Sequence, residues 1–109
     1  MINKIEHIGI AVTDLKKSED LFEKLLGKKP YKKEKVASEG VVTSFFKIGN
    51  QKIELLKGNN SGSHIQKFIE KRKEGVHHIA LHVDSIQKEV ERLENLGFET
   101  LQWLDELEV

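Results

Sequence analysis

The sequence predicts an α+β domain in which one strand–helix unit occurs twice, and three observations carry that expectation. Residues 4–12, 41–57 and 76–83 either alternate apolar with small or polar side chains or concentrate β-branched and aromatic ones, the signature of strands. The segments that follow Thr13 and Ser85 instead repeat their apolar residues at spacings of three and four, the period of an amphipathic helix. Finally, the first strand aligns with residues 76–83 at an offset of 71, pairing His7 with His78, Ile8 with Ile79, Ile10 with Leu81 and Val12 with Val83.

The elements follow in order. In residues 4–12, Ile8, Ile10 and Val12 form one face and His7, Gly9 and Ala11 the other, so a histidine stands among small neighbours that leave room beside it. Thr13 or Asp14 is placed to cap a helix whose inner face is assigned to Leu15, Ser18, Leu21, Phe22, Leu25 and Leu26, ending at Gly27. Pro30 blocks its continuation, and residues 31–36 read as an exposed, lysine-rich strand closed by the turn Ser38-Glu39-Gly40. Residues 41–48 and 51–57 flank Gly49-Asn50, a two-residue hairpin signal. A polar linker rich in Gly, Asn and Ser leads to a short helix marked by Ile65, Phe68 and Ile69, which Gly75 separates from the repeated strand. The last helix runs over about residues 85–96 with Ile86, Val90, Leu93 and Leu96 on one face, and a further strand is expected near Phe98.

These elements divide a single domain, residues 1–109, into a complete βαβββ module (1–58), a linker with a short helix (59–74) and an incomplete second module (75–109). Carried over at the same offset, the second module would need about twenty residues beyond Val109, so the reading expects a chain truncated at its C-terminus.

Composition narrows the function classes. Lys+Arg and Asp+Glu are each 18 and balance, so no excess of positive charge points to nucleic acid or an anionic membrane. The absence of cysteine removes disulfides, thiolate nucleophiles and thiolate metal sites. Any metal would have to be held by histidine and carboxylate. No apolar run is long enough for a membrane span or a signal-peptide core, which sets the expectation of a cytoplasmic protein.

His7 and His78 hold equivalent positions in the repeat, and if the two copies pair about a pseudo-twofold axis their imidazoles converge on one ion. The alternative is a pair of buried histidines bonded to backbone. Symmetric placement favours ligands. Glu54, set between apolar residues on a strand expected to neighbour the first, is either a third ligand or a solvent-facing glutamate, and the histidine pair favours the former. His82 shares strand parity with His78 and is assigned as a pocket residue. His77 has the opposite parity and is assigned a structural role, His64 a surface one, and the lysine-rich stretches 28–35 and 67–73 read as solvated faces.

The opening Ile5-Glu6-His7-Ile8-Gly9-Ile10-Ala11-Val12, the segment Gly49-Asn50-Gln51-Lys52-Ile53-Glu54-Leu55-Leu56 and the motif Gly75-Val76-His77-His78-Ile79-Ala80 together resemble the methylmalonyl-CoA epimerases of the vicinal oxygen chelate superfamily. The opening strand alone is shared by glyoxalases, dioxygenases and resistance proteins. The double histidine after glycine, with Ile-Glu-Leu-Leu, narrows the match. The resemblance implies a divalent ion (cobalt, manganese, nickel, zinc or magnesium) held by His7, Glu54, His78 and a glutamate from a last strand. It implies an isomerase that removes and returns the C2 proton of an acyl-CoA thioester, interconverting (R)- and (S)-methylmalonyl-CoA, and two acid–base groups flanking that carbon. Aligned with the family, Thr43 takes the position of a catalytic carboxylate and is expected to line the substrate site, and the last-strand glutamate would fall beyond Val109.

The expectation is therefore an epimerase-like chain, impaired by truncation, that binds metal weakly. The alternatives are another enzyme of the superfamily, of glyoxalase or dioxygenase type, and a non-catalytic remnant. An open sheet edge in the short second module is expected to pair with another chain, giving a homodimer or strand-exchanged oligomer in which Leu101, Trp103, Leu104 and Leu107 are buried.

Overall fold

The computed structural model describes residues 1–60 and 62–101. Its elements are β1 (Ile2–Ala11), α1 (Leu15–Leu26), β2 (Lys32–Val36), β3 (Val41–Ile48), β4 (Gln51–Gly58), α2 (His64–Arg72), β5 (Gly75–Val83) and α3 (Ile86–Asn95). The strands form one mixed sheet in the order β2-β3-β4-β1-β5. The order β1-α1-β2-β3-β4, followed by α2 and the strand–helix pair β5-α3, makes an α+β fold. By backbone contacts the chain falls into two compact units, one of residues Ile5–Ala80 and one of Met1–Lys4 with the segment from Leu81 onward.

Within the larger unit, strand alternation sorts side chains between two helix-covered faces. Val12, Leu15, Phe46 and Leu55 are buried together with Phe22, Leu26, Val42 and Ile53 packed around them, so α1 covers the face that carries the even positions of β1. Ala11, Val41 and Leu56 are buried on the other face against Ile65 and Ile69 of α2. Asp14 caps α1 by accepting from the Lys17 backbone N–H at 3.0 Å. Gly27, at φ 75°, ends it in the left-handed conformation that glycine adopts most readily. The turn at Gly49-Asn50 joins β3 and β4 as an antiparallel hairpin, with Thr43 opposite Leu56 and Phe45 opposite Glu54. β4 in turn runs parallel to β1, with His7 opposite Lys52 and Gly9 opposite Glu54. This register puts His7, Gly9, Glu54 and Thr43 on the α2-covered face.

The turn expected at Ser38-Glu39-Gly40 is present, and two other expectations need correction. Leu21 and Leu25 are exposed, and the inner stripe of α1 runs instead through Leu15, Glu19, Phe22 and Leu26. Glu19 can occupy that stripe because the Ser44 hydroxyl donates to its carboxylate at 2.6 Å and the Lys33 ammonium lies 3.2 Å away. Around Ser38-Glu39-Gly40 the chain makes a single 3₁₀ turn, Ala37–Glu39, ending at Gly40. No strand forms near Phe98 among the described residues: the Phe98 N–H closes back on the Leu93 carbonyl at the end of α3, and the backbone to Leu101 is irregular. Leu101 is exposed. Trp103, Leu104 and Leu107, assigned above to an association surface, lie outside the described residues. No helix among the described residues is long and apolar enough to cross a membrane.

Candidate metal centre

Three strands of the larger unit deliver one donor each to a common point. His7 comes from β1, Glu54 from β4 and His78 from β5. The Nε2 atoms of His7 and His78 are 2.9 Å apart. Glu54 Oε1 lies 3.4 Å from the first and 3.3 Å from the second. Ligand atoms bound to one ion at about 2.1 Å lie about 3.0 Å apart at right angles and about 3.4 Å apart at the tetrahedral angle. The triangle therefore has the dimensions of one face of a coordination polyhedron, and its two imidazoles and carboxylate are the donor chemistry of a divalent first-row ion. Glu54 is buried, 9% exposed, where a carboxylate is costly unless it faces a positive partner. A bound cation supplies that partner. The residues present thus fit a divalent metal.

Gly9 makes the convergence possible. A Cβ placed on it would overlap Cε1 of His78, so the space beside His7 that small residues leave is filled by the second imidazole. The rings meet edge to face, with centroids 5.0 Å apart.

Outside this triangle stand two groups that strand parity does not place there. The Glu6 carboxylate is 2.5 Å from His7 Nδ1 and 2.7 Å from Lys52 Nζ, although neighbouring strand residues ordinarily face opposite ways. The hydrogen bond from His7, and then that from Lys52, hold the Glu6 carboxyl down at about 2. Glu6 in return raises the Lys52 ammonium. His77 Nδ1 lies 2.9 Å from His78 Nδ1, and its ring sits edge-on to Phe68 of α2. Burial lowers the His77 imidazole below its usual value, with the neighbouring His78 acting the same way, so His77 favours its neutral form. The only sequence signal for either group was its place directly before a ligand candidate.

Thr43 is buried two positions along the sheet face from Phe45, the partner of Glu54, and its hydroxyl donates to the Glu34 carbonyl at 3.4 Å. His82 belongs to the smaller unit, where it is exposed and shares a hydrogen bond of 3.2 Å with Asn3. Neither is part of the three-donor cluster.

A mixed sheet of β1 to β5 that gathers two histidines and a glutamate on one face is consistent with the vicinal oxygen chelate class. Residues 6–106 match the family described as the glyoxalase/bleomycin resistance protein/dioxygenase superfamily, and the chain belongs to it. Its relatives include epimerases. The ethylmalonyl-CoA/methylmalonyl-CoA epimerase of Cereibacter sphaeroides is 34% identical over 102 residues, 93% of this chain and 76% of that protein. The mitochondrial methylmalonyl-CoA epimerase of Dictyostelium discoideum is 37% identical over 93 residues, 84% of this chain and 56% of that protein. Among solved structures, a variant methylmalonyl-CoA epimerase of Streptomyces coelicolor in complex with 2-nitronate-propionyl-CoA matches with a TM-score of 0.85 at 27% identity, covering 94% of this chain and 75% of that one. The resemblance drawn from the histidine and Ile-Glu-Leu-Leu motifs is thereby borne out. The chain spans about half to two thirds of the length of most curated relatives it matches.

Proposed function

We propose that this chain carries the metal-assisted chemistry of an acyl-CoA epimerase, with His7, Glu54 and His78 as ligands of one divalent ion. The observation that supports this most directly is the convergence of their three donor atoms within 4.8 Å on one sheet face. A His₂-carboxylate set suits borderline ions such as cobalt, nickel or zinc better than magnesium, which prefers oxygen donors throughout. When bound, such an ion polarises the thioester carbonyl and so acidifies the adjoining C2–H. The chain's own part is to hold three donors in fixed geometry, leaving the remaining coordination positions open toward a substrate. Thr43, on the same face as Glu54, is the proposed substrate contact on that side of the sheet, and His82 is proposed on strand parity with His78 alone. Methylmalonyl-CoA is the proposed substrate, in keeping with the printed names of the relatives. The division into a complete module, a linker and a second module remains part of this reading, as does a homodimer in a cytoplasmic setting.

Deuterium exchange at C2 of methylmalonyl-CoA in D₂O tests the proposal, since it detects proton abstraction even when net turnover is slow. Exchange is expected with added Co²⁺, to be abolished by chelator and by His7→Ala or His78→Ala. A chain that binds Co²⁺ through these residues yet exchanges no C2 proton overturns the substrate assignment. A chain whose Co²⁺ binding is indifferent to both substitutions overturns the metal site.

A further inference from the structure

The contacts around the two imidazoles determine where their hydrogens lie. A carboxylate only accepts, so the hydrogen between Glu6 Oε1 and His7 Nδ1 belongs to the imidazole. Lys52 at 2.7 Å keeps that carboxylate in place. In a neutral His7 the Nε2 atom therefore bears a lone pair and points it at Glu54 and His78. Across the 2.9 Å contact between the two Nε2 atoms, the hydrogen must then come from His78. His78 Nδ1 is left as an acceptor, and the 2.9 Å contact with His77 Nδ1 is closed by a hydrogen on His77. Four groups thus form one hydrogen-bonded chain in which His77, His78 and His7 each donate to the next and Glu6 accepts at the end.

This arrangement suits the cation-free protein, but His78 cannot ligate while Nε2 carries its hydrogen. To present a lone pair there it must hold the hydrogen on Nδ1, and His77 Nδ1 must then accept, with its own hydrogen on Nε2. Each ring keeps one hydrogen, so the count is unchanged and no proton is released by the imidazoles. We propose that Glu6 and His77 are positioning residues of the cation site: Glu6 holds His7 permanently in the ligating tautomer, while His77 exchanges tautomers together with His78 when a divalent cation enters. The proposal rests on the metal-centre reading and deepens it. It assigns a role to the first histidine of the His77-His78 pair, which touches no ion itself.

Nitrogen-15 NMR of the histidine rings at mildly alkaline pH, where unperturbed imidazoles are neutral, reads each tautomer directly. Without cation, His7 and His77 are expected with hydrogen on Nδ1 and His78 on Nε2. On adding Zn²⁺, His78 and His77 are expected to interchange and His7 to keep its form. Zn²⁺ affinity should fall about 10- to 100-fold in Glu6→Ala and in His77→Phe, the range for losing a group that orients a metal ligand. Glu6→Gln, whose amide oxygen still accepts from His7, should recover most of that loss, and circular dichroism identifies any variant that merely fails to fold. A His7 with hydrogen on Nε2 in the cation-free chain, or a His77 unchanged on loading, overturns the proposal. Unaltered Zn²⁺ affinity in both Glu6→Ala and His77→Phe overturns it while leaving the metal centre standing. Failure of the unsubstituted chain to bind Zn²⁺ overturns both.

Discussion

Gly9 shows how much a single missing methyl group decides. Its backbone needs no unusual dihedral, so the requirement for glycine is one of space: an added Cβ would enter the imidazole of His78. Gly9→Ala is therefore expected to turn His78 away from His7 and Glu54, weakening Zn²⁺ binding by at least about tenfold. The accompanying overpacking should cost about 1 to 3 kcal/mol of stability. Calorimetric titration with Zn²⁺ alongside a urea melt checks both parts. Unchanged affinity would mean that His78 is not held by this contact. At this scale the sequence was partly legible. Small residues around His7 announced a space, and repeat symmetry named His78, because both follow from strand alternation. Alternation separated His77 from His78, yet its ring lies against Phe68 of the covering helix with Nδ1 2.9 Å from that of His78, and the reading of alternation assigned no place to Glu6, whose carboxylate curls around its own strand to His7. Such contacts depend on neighbours that no local pattern specifies.

Elements were read more securely than their buried stripes. All three helices and five strands follow from period and punctuation, whereas α1 buries Glu19 in place of Leu21 and Leu25. A hydrophobicity pattern assigns a carboxylate to solvent, and only the arrival of Ser44 and Lys33 from other strands reverses that assignment. α3 has a similar feature in the smaller unit. Glu89 is buried and accepts from the Met1 amine at 2.6 Å and from Arg92 at 2.9 Å. The Met1 contact, followed by Arg92, lowers its carboxyl below the usual value. A depressed folded-state pKa means that the stabilisation is complete above about 4.5, the unfolded value, and is lost as pH falls below it toward the folded value. Amide protection in α3, taken relative to the intrinsic exchange rate at each pH, should accordingly fall with acidification in that window, and Glu89→Gln should flatten the dependence. An identical pH profile in the variant would assign the acid sensitivity elsewhere.

For the whole molecule, the offset between the two histidine strands foretold that β1 and β5 belong to one sheet, and the hairpin signal foretold β3 beside β4. The neighbourhood of β4 and β1 expected for Glu54 is present as a parallel pair, whereas the full order, with β1 between β4 and β5, is beyond what sequence adjacency specifies. The two outer strands of that sheet differ in chemistry. β2 carries Lys32, Lys33 and Lys35, charges that discourage pairing with another chain. β5 carries no lysine and leaves Val76 and Ile79 58% and 56% exposed. Self-association is expected through β5, so sedimentation equilibrium should show a dimer that Ile79→Lys converts to monomer. A monomer at every concentration, with or without the substitution, would remove this expectation.

The interior position of β1 also sets a timetable. Its partner β4 is synthesised some forty residues later and β5 later still, while the β3–β4 hairpin needs only its own two-residue turn. Hairpins close in about 1 to 10 μs, but translation at about 5 to 20 residues per second leaves Ile8, Ile10 and Val12 without their strand neighbours for on the order of seconds. During that interval β1 is an apolar segment waiting for neighbours on both sides, and a slower translation of the stretch between β1 and β4 lengthens its exposure.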